Sequence, residues 1–293
     1  KELAAYMAEK GFQFSSANSI NIGRLIPQVA YYVYAYVKLL EEEKIKAGEA
    51  VNFVVPTGNF GNILAAFYAK QMGLPVGRLI CASNENKVLA DFFETGVYDI
   101  NRPFYMTEAP SMDILISSNF ERFLYYLTGS AEQVRESMDK LKKEGKYEVS
   151  KEAFAKADME MMGGWASPED MAHAMSEVYE NYDYLMDPHT AVAYAVYDHL
   201  RREGEIPRHS HTVIISTAHP YKFPGVVAKA LGLKEMESPY DTLREIADKT
   251  GIPVPKQLGE LENRPKRFME TVDRKDMADT IRSYADEICG SSH

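Results

Sequence analysis

The residues best suited to chemistry form a glycine-containing turn, Thr57-Gly58-Asn59-Phe60-Gly61-Asn62. The turn directly follows a β-branched run of buried-strand type, residues 51–55, and directly precedes a helical pattern. Glycines let successive main-chain N–H groups point to one spot, and a helix N-terminus adds about half a positive charge there. The turn therefore predicts a binding site for a phosphate monoester, although ordinary strand-to-helix turns share this pattern. It lacks the Lys-Ser/Thr ending of a P-loop and the three-glycine spacing of a dinucleotide fold.

A second polar run, Ser216-Thr-Ala-His-Pro-Tyr-Lys-Phe223, also follows a predicted buried strand, residues 212–216. Ligands of open α/β sheets bind at the carboxyl ends of the strands. A hydroxyl at this position can meet a heterocyclic nitrogen, and Lys222 can meet an anion. The alternative is a plain helix entrance in which the two prolines only shape the turn.

The third run of small polar residues, Ser15 to Arg24, opens a long helical pattern. Arg24 falls about one turn into that helix, so the run can form another anion site. The simpler alternative is helix capping by Asn18 or Ser19.

The remaining polar and aromatic clusters favour structural roles. Asp187-Pro-His-Thr190 is most simply a helix N-cap. A catalytic role for His189 is the alternative, but a lone histidine is more often structural. The tyrosines of residues 31–36 and the methionines of residues 159–162 are typical of core packing. His209 and His211 alternate as metal ligands on a strand can, but no carboxylate or cysteine partner is near, so no metal site is predicted.

Three buried-strand patterns, each followed by a helical pattern, indicate a parallel sheet covered by helices. These strands are predicted at residues 51–55, 76–82 and 212–216. The stretch between the second and third strands is mostly helical in pattern, with helices over 131–144 and 150–162.

No linker interrupts this pattern, so the chain is predicted to be one α/β unit with additions. The unit spans residues 1–233, carries a helical insertion at about 118–205, and is followed by a helical tail over 234–293. Near the start, a long helix over 20–47 is interrupted at Pro27, and a short strand is predicted at 12–16.

Composition excludes several classes of function. The 293 residues carry a net charge of −10, so no broad positive field exists for nucleic acid, and an anionic ligand must be held by local groups. No apolar run reaches the ~18 residues of a membrane span, and no signal peptide is visible. The two cysteines are too few for a disulfide scaffold, which favours a reducing compartment such as the cytoplasm.

Five motifs, in order and at plausible spacing, resemble those of threonine synthase, in particular its bacterial and fungal branch. The resemblance covers about residues 1 to 230. The motifs are Ser16-Ala-Asn-Ser-Ile-Asn-Ile-Gly-Arg24, Pro56-Thr-Gly-Asn-Phe-Gly-Asn62, Pro110-Ser-Met-Asp-Ile-Leu-Ile-Ser-Ser-Asn119, Asp187-Pro-His-Thr-Ala191 and Ser216-Thr-Ala-His-Pro-Tyr-Lys-Phe223.

The resemblance implies a pyridoxal 5'-phosphate (PLP) enzyme of fold type II, the tryptophan-synthase β-like fold. Such an enzyme converts O-phospho-L-homoserine and water to L-threonine and phosphate. It also implies roles for individual residues. The cofactor phosphate would be held by Gly58, Asn59, Phe60, Gly61 and Asn62, and the ring nitrogen by Thr217 in preference to Ser216. The candidates for binding the substrate phosphate and carboxylate are Asn18, Ser19, Asn21, Arg24 and Lys222.

The chain departs from the family at the lysine that forms the Schiff base with the cofactor. That lysine belongs to a Phe-Lys-Asp type motif, which does not occur in this sequence, and the family's Ser/Gly-rich substrate loop is absent too. The chain starts at Lys1 inside a helical pattern. We therefore expect the C-terminal portion of a threonine synthase, inactive alone, with the cofactor bound only in the intact enzyme.

Two alternatives stay open at this point. One is another enzyme of the same fold, such as a dehydratase or a sulfhydrylase. The other is a non-catalytic phosphate-binding or interaction module that keeps the fold. The sequence leaves the oligomeric state undetermined.

Overall fold

The computed structural model describes residues 2–267 and 269–290, and its core is a parallel sheet with helices on both faces. The strands are β1 (Val51–Pro56), β2 (Val76–Ser83), β3 (Val97–Asp99), β4 (Lys146–Glu148), β5 (Met161–Trp165) and β6 (His211–Ile214). The helices are α1 (Glu2–Glu9), α2 (Ile22–Leu25), α3 (Val29–Glu41), α4 (Gly61–Gln71), α5 (Val88–Thr95), α6 (Phe120–Thr128), α7 (Ala131–Glu144), α8 (Lys151–Glu160), α9 (Pro168–Tyr182), α10 (Pro188–Glu203), α11 (Pro224–Ala230), α12 (Pro239–Thr250), α13 (Lys256–Gly259) and α14 (Met277–Gly290). Short 3-10 helices lie at Ile26–Gln28, Pro110–Met112, Pro220–Lys222 and Glu260–Asn263.

The main sheet has the strand order β5-β2-β1-β6, and all of its pairings are parallel. Alternate residues of β1 enter different cores, with Phe53 in one cluster and Val54 in the other. Helices α3 to α6 contribute to the first core, and α9 to α12 contribute to the second. Because both faces are covered, the residues of the central strand β1 are apolar with the exception of Asn52. The predicted α/β fold with a parallel sheet is thus confirmed.

The structure adds a strand that the sequence reading missed. Residues 161–165 form β5 and pair with β2, and the first two of them fall within the helix predicted over 150–162. A Cβ on Gly163 would lie 2.7 Å from the Ala90 Cα, and one on Gly164 would lie 2.5 Å from the Val196 side chain. The two glycines therefore let α5 and α10 pack closely against this edge strand, and their low strand propensity hid it.

Two other local predictions also need correction. Residues 12–16 form no strand, because nothing in the described chain pairs with them. The long helix predicted over 20–47 is broken at Pro27 as expected, but α3 ends at Glu41. The segment 118–205 is mostly helical but also contains β4 and β5, and β4 pairs antiparallel with β3.

The ends of the described chain lie together on the surface. Tyr6 of α1 donates a hydrogen bond to the Asp286 carboxylate of α14 at 2.7 Å, and Lys10 forms an ion pair with the same carboxylate.

At the sheet edge, β6 pairs only with β1 among the described residues, and its residues are half-buried. Within residues 2–267 and 269–290, no helix has the length and apolar character that crossing a bilayer requires.

Candidate functional site

A cavity of about 280 Å³ lies where β1 and β6 end. These strands are adjacent and parallel, with Val54 opposite Ile214, so the residues that follow them emerge at the same edge of the sheet. Three residues further on, the two strand ends lead to Thr57 and Thr217, which both line the cavity. Its lining comprises residues 56–63, Ser19, Arg24, Gln28, Ser111, Met112, His189, Thr217, Ala218 and Lys222.

The turn after β1 lines this cavity and contains a run of main-chain N–H groups without a partner among the described residues. The N–H groups of residues 58–62 donate to no acceptor in the part of the chain that the structure describes. Residues 61 and 62 are also the first residues of α4, where the helix dipole concentrates partial positive charge. Successive unpaired donors at a helix start fit a phosphate group, without any cationic side chain.

Gly58 is required by close packing. A Cβ at this position would lie 2.4 Å from the main-chain oxygen of Ser111, which no real side chain could tolerate. At Gly61 the nearest atom to such a Cβ would be the Asn119 side-chain nitrogen, at 3.4 Å. The two glycines of the turn are therefore unequal, since Gly58 has no room for a side chain and Gly61 has a little.

Phe60 holds the turn in an unusual backbone conformation. Its φ of 63° is left-handed, which a bulky residue rarely adopts and which costs free energy. The ring is fully buried against three aromatic rings, with centroid separations of 6.3 Å to Phe93, 5.1 Å to Phe120 and 5.6 Å to Phe123. Packing of this ring offsets the backbone strain and fixes the shape of the turn.

Asn62 is oriented by a buried tyrosine. The Tyr32 hydroxyl donates to the Asn62 Oδ1 at 2.6 Å, and burial raises the pKa of Tyr32 well above its ordinary value. The hydroxyl therefore keeps its proton and fixes the side-chain oxygen of Asn62. The Asn62 Nδ2 donates to no other described residue, which leaves it available to a ligand.

Of the two hydroxyls after β6, Thr217 is the one that lines this cavity together with the turn. Ser216 lines only a neighbouring groove, which also contains Thr217. Neither hydroxyl forms a hydrogen bond with another described residue. The placement agrees with the preference for Thr217 as the ring-nitrogen partner, a role that stays a prediction.

The cavity has a positive lining in an acidic protein. Arg24 and Lys222 both line it, neither forms an ion pair with any described residue, and no Asp or Glu is part of the lining. The Arg24 guanidinium donates to the Ala17 carbonyl, which holds the side chain in place. Two unpaired cations beside the free amides suit an anionic ligand.

The other predicted substrate residues divide into two groups. Ser19 lines the cavity. Asn18 and Asn21 do not line it, and they form local hydrogen bonds instead. Asn21 is the N-cap of α2 and accepts from the Gly23 N–H at 2.9 Å, and the Asn18 side chain accepts from the Ile20 N–H at 3.3 Å. The capping alternative thus accounts for these two asparagines, and their assignment to substrate remains untested.

His189 lines the cavity with both ring nitrogens engaged. Its Nε2 accepts from the Ser111 N–H at 3.1 Å, and its Nδ1 lies 2.9 Å from the Asp187 carboxylate. Because Nε2 accepts, Nδ1 must carry the proton and donate it. Asp187 also caps α10, as predicted, by accepting from the N–H groups of His189 and Thr190. The network therefore ties the start of α10 to the residue that packs on Gly58.

Several residues that line the cavity were not predicted from the sequence. Gln28, Ser111 and Met112 come from segments that no local pattern marked as functional. Ser111 belongs to the 110–119 motif, which entered only through the family resemblance. The contact between residues 58 and 111 depends on the fold, and no local sequence pattern predicts it.

Comparisons with known proteins find similarity to threonine synthases in sequence and in structure. Residues 190–283 match the family model "Threonine synthase, C-terminal". Threonine synthase-like 1 of Homo sapiens is 42% identical over 230 residues, which are 78% of this chain and 30% of that protein. Threonine synthase of Pseudomonas aeruginosa is 38% identical over 222 residues, covering 75% of this chain and 45% of that protein.

A solved structure is similar along nearly the whole chain. The crystal structure of PLP-bound threonine synthase from Brucella melitensis superposes with a TM-score of 0.80 at 33% identity, covering 97% of this chain and 55% of that one. The chain thus spans about half or less of the length of these relatives. The comparisons confirm the predicted resemblance: over most of its length this chain is similar to threonine synthases in sequence and in fold.

Proposed function

We propose that this chain forms the phosphate-binding and ring-binding part of a PLP site in a threonine synthase. We use the term intact protein for this chain together with any further sequence that its open reading frame encodes. The observation that carries the proposal is one cavity that unites the free amides of residues 58–62, the Thr217 hydroxyl and two unpaired cations. The relationship to a threonine synthase solved with PLP supports the choice of cofactor.

Each group of residues has one task in this proposal. The amides of residues 58–62 bind the cofactor phosphate, and the Asn62 side chain adds a further donor. The Thr217 hydroxyl forms a hydrogen bond with the ring nitrogen. Because a hydroxyl is neutral, it gives that nitrogen no negatively charged partner. When bound, the cofactor supplies an electron-withdrawing ring that stabilises negative charge on the substrate carbons next to its amine.

The two cations favour a substrate with two anionic groups. O-Phospho-L-homoserine carries a carboxylate and a phosphate, whereas the substrates of serine and threonine dehydratases carry only a carboxylate. Arg24 offers a planar fork suited to phosphate or carboxylate, and Lys222 offers a point charge. Because the cavity is free of acidic side chains, both cations remain available to such a substrate.

Turnover tests this proposal directly. The intact protein, supplied with PLP and O-phospho-L-homoserine, is expected to release phosphate and threonine in equal amounts. Deamination of serine or threonine without phosphate release would instead identify a dehydratase. Cofactor binding with no turnover of any of these substrates would identify a non-catalytic module.

Arg24 is expected to contribute more to substrate binding than to cofactor binding. Arg24→Ala in the intact protein should raise the KM for O-phospho-L-homoserine about tenfold or more, since a charged hydrogen bond is lost. The affinity for pyridoxamine 5'-phosphate, which carries an amine in place of the aldehyde and binds without a covalent bond, should change less than about threefold.

Arg135→Ala is the matched control, because Arg135 is an exposed arginine of α7 outside the cavity lining. It removes the same charge and should leave the KM unchanged. A larger loss of pyridoxamine 5'-phosphate affinity than of substrate affinity in Arg24→Ala would move Arg24 out of the substrate site.

We further propose that Lys222 binds substrate and does not carry the cofactor, so that this chain alone is inactive. Lys222 is the lysine in the cavity lining, and its ammonium lies 5.9 Å from the centre of the Phe223 ring. Incubating the 293-residue chain with PLP, reducing with borohydride and mapping lysines by mass spectrometry should show no pyridoxyl group on Lys222. A pyridoxyl group that appears on Lys222 and disappears in Lys222→Arg would overturn this assignment.

The two cysteines support a proposal for the compartment. Cys81 and Cys289 are both free, and Cys81 is buried. Free thiols support a reducing compartment such as the cytoplasm.

A further inference from the structure

Two side chains of the 110–119 segment hold the main-chain oxygens of the phosphate-binding turn. The Ser117 hydroxyl donates to the Gly58 oxygen at 2.9 Å. Asn119 donates to the Asn59 oxygen twice, from its side-chain Nδ2 at 2.9 Å and from its main-chain N–H at 3.2 Å. Ser117 is 6% exposed and Asn119 is fully buried, so water does not replace these bonds.

These bonds determine where the free N–H groups of the turn point. In a planar trans peptide the C=O and the N–H point in opposite directions. No peptide bond of the described chain is cis. Fixing the Gly58 oxygen therefore fixes the N–H of Asn59, and fixing the Asn59 oxygen fixes the N–H of Phe60. Both N–H groups belong to the unpaired run that lines the cavity.

We propose that Ser117 and Asn119 are positioning residues that aim the N–H groups of Asn59 and Phe60 at the bound phosphate. The inference rests on the proposed PLP site and assigns a role to the 110–119 motif. Without these partners the two peptide planes can rotate, and a rotation that turns a carbonyl oxygen toward the phosphate replaces attraction by repulsion.

The orientation of the Asn119 amide is itself fixed. The Arg122 guanidinium donates to the Asn119 Oδ1, and the same guanidinium donates to the Ile20 oxygen at 2.8 Å. A guanidinium cannot accept a hydrogen bond, so the oxygen of the amide must face Arg122. The nitrogen then faces the Asn59 oxygen. On the other side of the segment, the Ser117 N–H donates to the Tyr98 hydroxyl at 2.9 Å, which holds Ser117 in place.

The test compares three variants of the intact protein. Ser117→Ala removes the hydroxyl that holds the Gly58 oxygen, and Ser117→Thr restores it. Ser176→Ala removes a similar bond elsewhere, because the Ser176 hydroxyl donates to the Ala230 oxygen at 2.6 Å, outside the cavity lining. Calorimetric titration gives the affinity for pyridoxamine 5'-phosphate and for unphosphorylated pyridoxamine, and thermal unfolding gives the Tm.

Ser117→Ala should bind pyridoxamine 5'-phosphate about three- to tenfold more weakly than wild type, with pyridoxamine affinity unchanged. Ser117→Thr should recover most of the loss. Ser176→Ala should lower the Tm by a similar amount and keep wild-type affinity, which separates positioning from general destabilisation.

Three results would overturn the inference alone: wild-type affinity in Ser117→Ala, an equal loss for unphosphorylated pyridoxamine, or an equal loss in Ser176→Ala. If the wild-type intact protein binds neither pyridoxamine 5'-phosphate nor PLP, the proposed function fails, and the positioning role fails with it. The two failures are therefore distinguishable by the wild-type titration.

Discussion

Gly58→Ala is expected to weaken the binding of pyridoxamine 5'-phosphate to the intact protein by tenfold or more. The added Cβ would lie 2.4 Å from the Ser111 oxygen, and that oxygen is main chain and cannot swing aside. Ser111 is itself held by the bond from its N–H to His189. Either the turn or the 110–112 helix must therefore move, and either movement displaces the amides that bind the phosphate. The overpacking should also lower the free energy of unfolding by about 1–3 kcal/mol.

The position of the glycine decides the size of the effect. Gly61→Ala should weaken binding less, because its Cβ would meet only the Asn119 side-chain nitrogen at 3.4 Å. Gly259→Ala serves as the control, since the nearest atom to its Cβ would be a Val254 methyl at 3.8 Å, far from the turn in sequence and outside the cavity lining. Calorimetric titration of the three variants checks the order. Wild-type affinity in Gly58→Ala would mean that the turn is only a connection between strand and helix.

The parallel sheet could be predicted because its central strands are apolar on both faces. All residues of β1 are buried, and its β-branched run announces a strand covered on both sides. The turn that follows was equally visible, since glycines directly after such a strand mark a turn into a helix. Once the two strands are known to be parallel, the carboxyl-end rule brings the residues after β1 and those after β6 to one edge.

The strand β5 could not be predicted in the same way. Its Gly163 and Gly164 are there because α5 and α10 pack against them, and that packing is a property of the finished fold. Read along the chain, two glycines after a methionine-rich segment indicate a helix end. Tertiary packing thus outweighed local propensity.

The candidate site was predicted where it is local and missed where it is long-range. The free amides of residues 58–62 depend on one turn, and the turn is in the sequence. The side chain that orients these amides cannot be recognised from the local sequence. Ser117 lies 59 residues from Gly58, and the hydrogen bond between them exists only because the fold brings the two segments together. Asn18 and Asn21 bond nearby main-chain N–H groups and do not line the cavity, as small polar residues at a helix start often do, and their assignment to substrate stays a prediction.

An acidic protein can hold an anion when local dipoles replace net charge. The chain carries a charge of −10, yet the lining of its cavity contains no carboxylate. Main-chain N–H groups bind an anion through their dipoles, without a charged side chain and without loss of side-chain entropy. Salt weakens the repulsion between a bound anion and distant surface carboxylates. It does not weaken the attraction between that anion and the amides in direct contact with it. The overall charge therefore argues against nucleic acid as a partner without arguing against a phosphorylated ligand.

Asp187→Ala is expected to cost about 2–5 kcal/mol in the free energy of unfolding, the largest stability effect among these variants. The carboxylate is 1% exposed and caps α10, so its loss removes the N-cap bonds. It also leaves the His189 Nδ1 proton and the Thr190 hydroxyl, which both donate to it, buried without a partner. Asp187→Asn keeps the size and one acceptor oxygen, and should cost about 1–2 kcal/mol. Urea denaturation at neutral pH measures both.

We expect the charged form of the Asp187 carboxylate to be the one that stabilises the fold. Burial acts to raise the pKa of Asp187, but hydrogen bonds from His189 and Thr190 outweigh it, and the pKa is lowered on balance. A carboxyl whose pKa is lower in the folded state stabilises the fold above its unfolded pKa of about 3.9, and loses this contribution as the pH falls through the folded value. The stability difference between wild type and Asp187→Asn should therefore be largest near neutral pH and narrow below about pH 3.9. Asp198→Asn on the surface of the same helix, whose partner is the exposed Arg202, should cost less than about 1 kcal/mol at neutral pH. A difference for Asp187→Asn that stays constant down to acid pH would show that the network is held by shape and neutral hydrogen bonds, and that its charge contributes nothing.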